Sequence, residues 1–350
     1  MYYSRFLVIG GDGHKKTEVI DLSDSSLRCK STFGKLKSER RNSMGGLMNE
    51  TPILCGGEDS NRDRYDSCLV FGKTKTTSIK MKGPYMHSTG KRTNGASVVL
   101  NDTTLWLLGG LNYRGRLSTT EFIKLNPASD STTSVIGPAL PHILSDSCAV
   151  KYNNTHIYLI GGYTSDYEDR VLIYNSILDK WTKGPRLNTG RTDHGCAVIH
   201  HDGESWIIVV GGYSNGNGLT SVEVLDPNNG FPKWVQGENI TKKNMNFLDF
   251  FLDGKKVLIC FCYIYTGPDL PYDLRYINQA IVTSPDGGGI IIVGGHNWQS
   301  DSNENQIRIL ESRFTGSEFL PWQFMDQKLN QGRENHVVIP IPKSVTTKCN

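Results

Sequence analysis

The sequence lacks most of the features that would mark a particular function class. No apolar run could cross a bilayer: the longest, Val257 to Tyr265, is about half of the ~20 residues a spanning helix needs. Charge of one sign is equally scarce. The 38 Lys and Arg stand against 35 Asp and Glu, a net charge of +3 with no long run of either sign, so no nucleic acid or membrane is expected as a partner. No GxSxG, HExxH or phosphate-loop pattern occurs. The glycine-rich SPDGGG at 284 to 289 runs into a strand and not a helix, which makes it a hairpin turn. The eight cysteines contain no CxxC pair and no metal-ligand spacing. The first residues, MYYSRFLVIGGDG, have no basic segment, apolar core and cleavage site of a secretion signal; they read as the inside of a strand.

What the chain does have is glycine, 37 in 350 residues, and much of it comes in pairs. IYLIGG, ending at Gly162, is an apolar strand that runs straight into two glycines. The pattern recurs at Gly11, Gly57, Gly110, Gly212 and Gly295, with gaps of 46, 53, 52, 50 and 83 residues. A period near fifty identifies a repeat architecture, and the last gap marks an irregularity. Repeats spanning nearly the whole length argue for one closed domain, residues 1–350.

Each repeat divides into four short strands. Between Ser147 and Pro185 these are SCAVKY (a), HIYLIGG (b), RVLIYN (c) and KWTKG (d), each bounded by turn residues and showing period-2 or continuous apolar character. Other strand c candidates are 17–22, 67–71, 119–125, 220–226 and 305–310. Strand d carries Trp181, Trp234 or Trp322 where the repeat is well kept. Four-stranded units repeated radially make a propeller. Cys148 and Cys196 hold the same place in successive strands a, and Cys55 stands where Ile, Leu or Val stands elsewhere, so all three are read as small core residues and not as disulfide partners.

The paired glycines, Tyr174 and Trp181 at their spacing, Gly184-Pro185, and Arg191 through His194 resemble the kelch repeat, from Leu7 to about Ile341. The resemblance implies an all-β, kelch-type β-propeller with six complete four-stranded blades. Two departures stand out. LDGKKVLICFCYIY at 252–265 looks like an a–b hairpin without its glycines, followed directly by GPDLPY, so that a truncated extra blade is expected at about 244–272. Either a deletion of about thirty residues or a real half-blade accounts for it, leaving six or seven blades. Second, the chain starts at a strand b and ends with a strand a, VVIPI. Pairing these two orphans would close the ring and remove two exposed edges.

The loops after the glycine pairs and after strand d emerge on one face. They carry Tyr65, Tyr113, Arg114, Asp166, Tyr167, Tyr213, His296 and Trp298 after the glycines, and Arg92, Arg191, His194 and Arg333 after strand d. The recurring arginines are expected either to ring the channel mouth or to bond carbonyls of neighbouring blades. The residues that do not recur by type are candidates for recognition, since repeat proteins vary most where they bind.

The expected function is a non-enzymatic, monomeric module that binds a protein or peptide on this loop face, with no catalytic residues, cofactor or metal. The alternatives are a secreted kelch protein that binds glycans or matrix, and a metal-dependent oxidase of the galactose-oxidase type. The resemblance implies that the oxidase would need two tyrosines, two histidines and a cysteine near the axis. Asn-x-Thr sequons at Asn49, Asn101, Asn153 and Asn239 are no more than this composition supplies by chance, although the first three share the a–b turn. The compartment stays open: cytoplasmic if Met1 is the true start, extracellular if a secretion signal precedes it.

Overall fold

Each strand that leads into a glycine pair is apolar without interruption because it is buried on both faces. Successive side chains of a strand point to opposite sides. In Glu204–Val210, Ile207 and Val209 pack with Val150, Ile160 and Val171 of the preceding sheet, while Ile208 and Val210 pack with Ile290 and Ile292 of the following one. Each such side chain contributes roughly 1.5–3 kcal/mol by leaving water. A sheet sandwiched in this way is a propeller blade.

The computed structural model describes residues 3–23, 35–72, 76–81, 90–126, 131–228, 234–236, 248–252, 255–259, 268–297, 309–315, 319–342 and 344. Blade 2 runs from innermost to outermost as Met44–Met48, Thr51–Cys55, Ser67–Phe71 and Thr76–Lys80. Blade 3 is Ala96–Asn101, Thr104–Leu108, Thr120–Asn126 and Ser131–Gly137, and blade 4 is Cys148–Lys151, His156–Ile160, Val171–Asn175 and Lys180–Lys183. In blade 5, Gly195–His201 and Glu204–Val210 are followed by Val222–Leu225 and Val235–Gln236; in blade 6, Ile281–Thr283 and Gly289–Val293 by Ile309–Arg313 and Gln323–Phe324. All pairings are antiparallel. Strand c of blade 6 thus lies later than 305–310, of which 305–308 fall outside the described residues.

Blade 1 is made from both ends of the chain. His336–Ile341 pairs with Arg5–Gly10 over its full length, from Gly10 opposite His336 to Arg5 opposite Ile341, and Glu18–Asp21 completes the described part. The two strands that would otherwise be orphans protect each other's edges, as the sequence implied. Residues 24–34, beyond Glu18–Asp21, lie outside the described residues.

The innermost strands pack in a closed ring of six, with strand a of blade 5 directly against strand a of blade 6. No extra blade is inserted there. Among the described residues, the strands Leu248–Leu252 and Lys255–Ile259 pair with each other and with no blade. GPDLPY belongs to blade 5: the Leu270 N–H donates to the Thr220 carbonyl at 2.8 Å, just as Leu140 bonds Ser118 at 2.7 Å in the connection after strand d of blade 3. Apart from the strands Leu248–Leu252 and Lys255–Ile259 and residues 268–272, the stretch 244–272 in which a truncated extra blade is expected lies outside the described residues, and the ring of inner strands counts six.

The cysteine reading is corrected as well. Cys55 and Cys68 face each other in register on two strands of blade 2 and form a disulfide, with Cα atoms 3.9 Å apart. Cys148 and Cys196 form a second, with Cα atoms 5.9 Å apart, that ties the innermost strands of blades 4 and 5. All four are buried, as expected for Cys55, Cys148 and Cys196. Equivalent positions of successive inner strands become neighbours only when the ring closes, which is why the repeat alignment alone did not pair them. Among the described residues, no helix is long and apolar enough to cross a membrane.

Candidate binding surface

The glycine pairs are the joints between blades. The N–H of the second glycine donates to a carbonyl of the next blade's connection in all six cases: Gly11 to Arg40, Gly57 to Arg92, Gly110 to Leu144, Gly162 to Arg191, Gly212 to Leu274 and Gly295 to Arg333, at 2.7 to 3.0 Å. Close approach requires glycine here. At Gly162, φ is +107° and an added Cβ would lie 2.6 Å from the Ser145 carbonyl oxygen; at Gly161 it would lie 2.7 Å from Cε1 of His194.

The recurring arginines clamp these joints from inside. Arg191 is fully buried; Nη1 donates to the carbonyls of Gly211 and Ser221 at 2.9 and 3.0 Å, and Nη2 meets Glu223 at 2.6 Å. Arg333 does the same with Gly10 and Glu18 in blade 1, and Arg92 with Thr119 and, at 3.9 Å, Glu121 in blade 3. Burial lowers the Arg92 pKa to about 10 despite the opposing charge of Glu121. Arg40 makes the same carbonyl bonds to Gly56 and Ser67, but Leu69 stands where the other three blades have glutamate. The expectation that these side chains ring the channel mouth is corrected: Arg92, Arg191 and Arg333 are each at most 2 % exposed and bond carbonyls of their own blade, not of its neighbour.

His194 also belongs to this frame. It and His336 are completely enclosed under the glycine pairs, and desolvation, reinforced by the adjacent arginine, pushes both pKa values down to about 3. They are neutral side chains of the interior. Among the described residues no three His, Cys, Asp or Glu side chains gather as a metal-ligand set.

The surface that faces solvent along the axis is a funnel of about 490 Å³. Its neck is the residue two positions beyond each carbonyl that accepts the glycine bond: Asn42, Asn94, Asp146, Asp193, Tyr276 and Asn335, all with φ between 53° and 59°. Asn and Asp tolerate this left-handed conformation better than most residues. Backbone bonds link the neck residues around the axis: Asn42 N–H to Asn335 O at 2.9 Å, Asn94 to Asn42 at 3.0 Å, Asp146 to Asn94 at 2.8 Å and Asp193 to Asp146 at 3.1 Å. Burial raises the Asp146 carboxyl above its usual range and Asp193 well above it, the charge of Asp146 adding to the second shift.

Above the neck lies the residue that follows each glycine pair, bonded through the main chain to the residue just before a neck position. In blades 1 and 2 these are Asp12 and Glu58. Arg41 reaches both, at 3.2 and 3.4 Å, and Arg64 meets Glu58 at 3.2 Å. In blades 4 and 5 they are Tyr163 and Tyr213. Tyr163, Tyr167 and Tyr213 form an edge-to-face series with centroids 5.3 and 5.9 Å apart. The Arg116 guanidinium lies 4.4 Å over Tyr163, and Arg275 lies 5.1 Å over Tyr213 and 4.8 Å over Tyr276. In blade 6, His296 meets Glu334 at 2.5 Å.

Of the residues singled out from the sequence, Tyr167 and Tyr213 are thus brought together at the mouth, and His296 lies beside it against Glu334 and Tyr276. Tyr113 and Arg114 are exposed on the neighbouring hairpin, with the guanidinium 5.4 Å from the Tyr113 ring, and Asp166 is exposed beside Tyr167. Tyr65 lies apart, under the Arg40 guanidinium at 4.1 Å. Trp298 lies outside the described residues. Sequence reasoning missed Asp12, Arg41, Glu58, Asp146, Tyr276 and Glu334. The spacing Arg-x-Asn/Asp, present at Arg40, Arg92, Arg191 and Arg333, marks four of the six neck positions; Asp146 and Tyr276 follow Leu144 and Leu274 and carry no such signal.

One repeat also matches a family model: the Kelch motif, over residues 147–188, which covers the strands of blade 4 with the connections that flank them. That repeat shares its glycine joint and its backbone register with five others around the ring, and the chain is a six-bladed β-propeller that carries a Kelch motif.

Proposed function

We propose that the protein is a non-catalytic interaction module that binds another protein, through a short segment, at the loop-face mouth. Kelch propellers commonly serve as interaction modules. The observation that carries the choice of face is the series Tyr163, Tyr167 and Tyr213, bracketed by Arg116 and Arg275 above an open funnel. Tyrosine and arginine dominate interface hot spots because each offers a large contact area with a polar end and loses little conformational entropy when already stacked. The polar neck supplies fixed donors and acceptors for a peptide backbone.

Affinity capture with wild type and with Tyr167→Ala plus Tyr213→Ala tests this, with Leu178→Asp on the opposite face as control. A partner retained by wild type and control but lost by the double variant is expected. Equal retention by all three proteins rejects the mouth as the binding surface.

A further inference from the structure

The face opposite the mouth carries a motif that the interaction reading does not use. Asn49, Asn101 and Asn153 each begin an Asn-x-Thr sequon, and each is exposed at the tip of the a–b hairpin of blades 2, 3 and 4. At Asn101 the Oδ1 atom accepts the N–H and the hydroxyl of Thr103, both at 3.0 Å; at Asn153 it accepts those of Thr155 at 2.9 and 3.0 Å. The same turn in blade 2 has the Thr51 hydroxyl 3.4 Å from the Asn49 carbonyl, with φ of +42° at Asn49. These bonds join the sequon hydroxyl to the asparagine and, at Asn101 and Asn153, occupy the carboxamide oxygen, not the nitrogen that would be modified.

The disulfides are a second and independent observation. Cys55–Cys68 and Cys148–Cys196 form and persist where the surroundings are oxidising, and secretory compartments of that kind are also where asparagine is glycosylated. Together the two observations change the weight of a motif that composition alone leaves at chance.

We propose that the protein matures in an oxidising secretory compartment and carries N-linked glycans on Asn49, Asn101 and Asn153. The donor class is a polyprenyl-diphosphate-linked oligosaccharide. Nδ2 bonds to C1 of the first sugar, the C1–O bond to the diphosphate breaks, the diphosphate leaves with the electron pair, and one amide proton passes to a base of the transferase. Three glycans on consecutive blades would cover the a–b end of the axial channel, whose opening of about 600 Å³ includes Asn49, Glu50 and Asp102 in its lining. The loop-face mouth stays free.

Protein purified from its natural source is digested with a peptide N-glycosidase in ¹⁸O-water and mapped by mass spectrometry, with a non-reduced map in parallel. Conversion of at least two of the three asparagines to ¹⁸O-labelled aspartate in most copies is the expected result, with Cys148 and Cys196 peptides linked. Unmodified asparagine at two or more sites overturns the proposal, even with both disulfides intact or Asn239 modified. As a second readout, secretory expression of Asn101→Gln and Asn153→Gln should each remove one glycan step in gel mobility; no change in either overturns it. Neither readout depends on whether the mouth binds a partner.

Discussion

Blades 1 and 2 place Asp12, Arg41, Glu58 and Arg64 around the mouth, whereas blades 4 and 5 place Tyr163, Tyr167 and Tyr213 there on the same backbone. The scaffold is indifferent to this choice, because the bridging hydrogen bonds use only main-chain atoms. What differs is the consequence. Partly exposed ion pairs are screened by water and salt and contribute little, commonly under about 1 kcal/mol each. Tyrosines held edge to face keep their contact area for a partner. The same two regions differ beneath the surface: Arg191 in blade 5 is paired with Glu223, but Arg40 in blade 2 has Leu69 in that place.

The largest effect should come from this buried frame. Arg191→Ala leaves Glu223 enclosed without its partner and is expected to lower unfolding free energy by about 3–5 kcal/mol. Arg40→Ala strands carbonyls but no paired carboxylate and should cost about 1–3 kcal/mol. Equal urea midpoints for the two variants would show that the glutamate adds nothing to the clamp.

Next come the disulfides. Replacing Cys148 and Cys196 by alanine removes a link across 48 residues and should cost ~4 kcal/mol, against ~3 kcal/mol for Cys55 and Cys68, separated by 13. Thermal unfolding of the two double variants, with and without reductant, measures the order, and the reverse order would contradict the greater role of the bridge between blades.

At the surface, Tyr167→Ala is expected to weaken partner binding by about 2 kcal/mol, roughly 30-fold, and Arg64→Ala by less than about 1 kcal/mol. Calorimetry at two salt concentrations sharpens the contrast, since only the ionic half should respond to salt. A larger loss for Arg64→Ala would move the binding centre to blades 1 and 2.

The smallest effect concerns the neck. Asp146 and Asp193 have folded-state pKa values above their unfolded ones, so the native state holds more protons and stability falls as pH rises through that interval. Asp193→Asn should therefore raise the melting temperature slightly at neutral pH and leave it unchanged at strongly acid pH. A lower melting temperature at neutral pH would mean that the carboxylate is needed in its charged form.

Much of this frame is legible in the chain. Six glycine pairs, each preceded by four consecutive apolar residues, already specify strands buried on both faces and a close joint at their ends. Glu18, Glu121 and Glu223, each at the start of a strand c, are the visible trace of the clamp. The mouth is less legible because its positions are defined by main-chain bonds, not by a residue type: Asp12, Glu58, Leu111, Tyr163, Tyr213 and His296 share a place but no single chemistry. His194 and the arginines misled in the opposite direction, since a polar residue in a loop after a strand reads as exposed until the neighbouring blade covers it.

By itself the sequence determined the repeat, the strand pattern and the closure by the C-terminal strand, all of which depend on local periodicity and on edges that must not remain open. Only the tertiary structure decided that there are six blades, that Cys148 meets Cys196, and which loop residues face the axis. Those facts depend on distances between blades, and such distances exist only once packing of both faces of every sheet has fixed the ring.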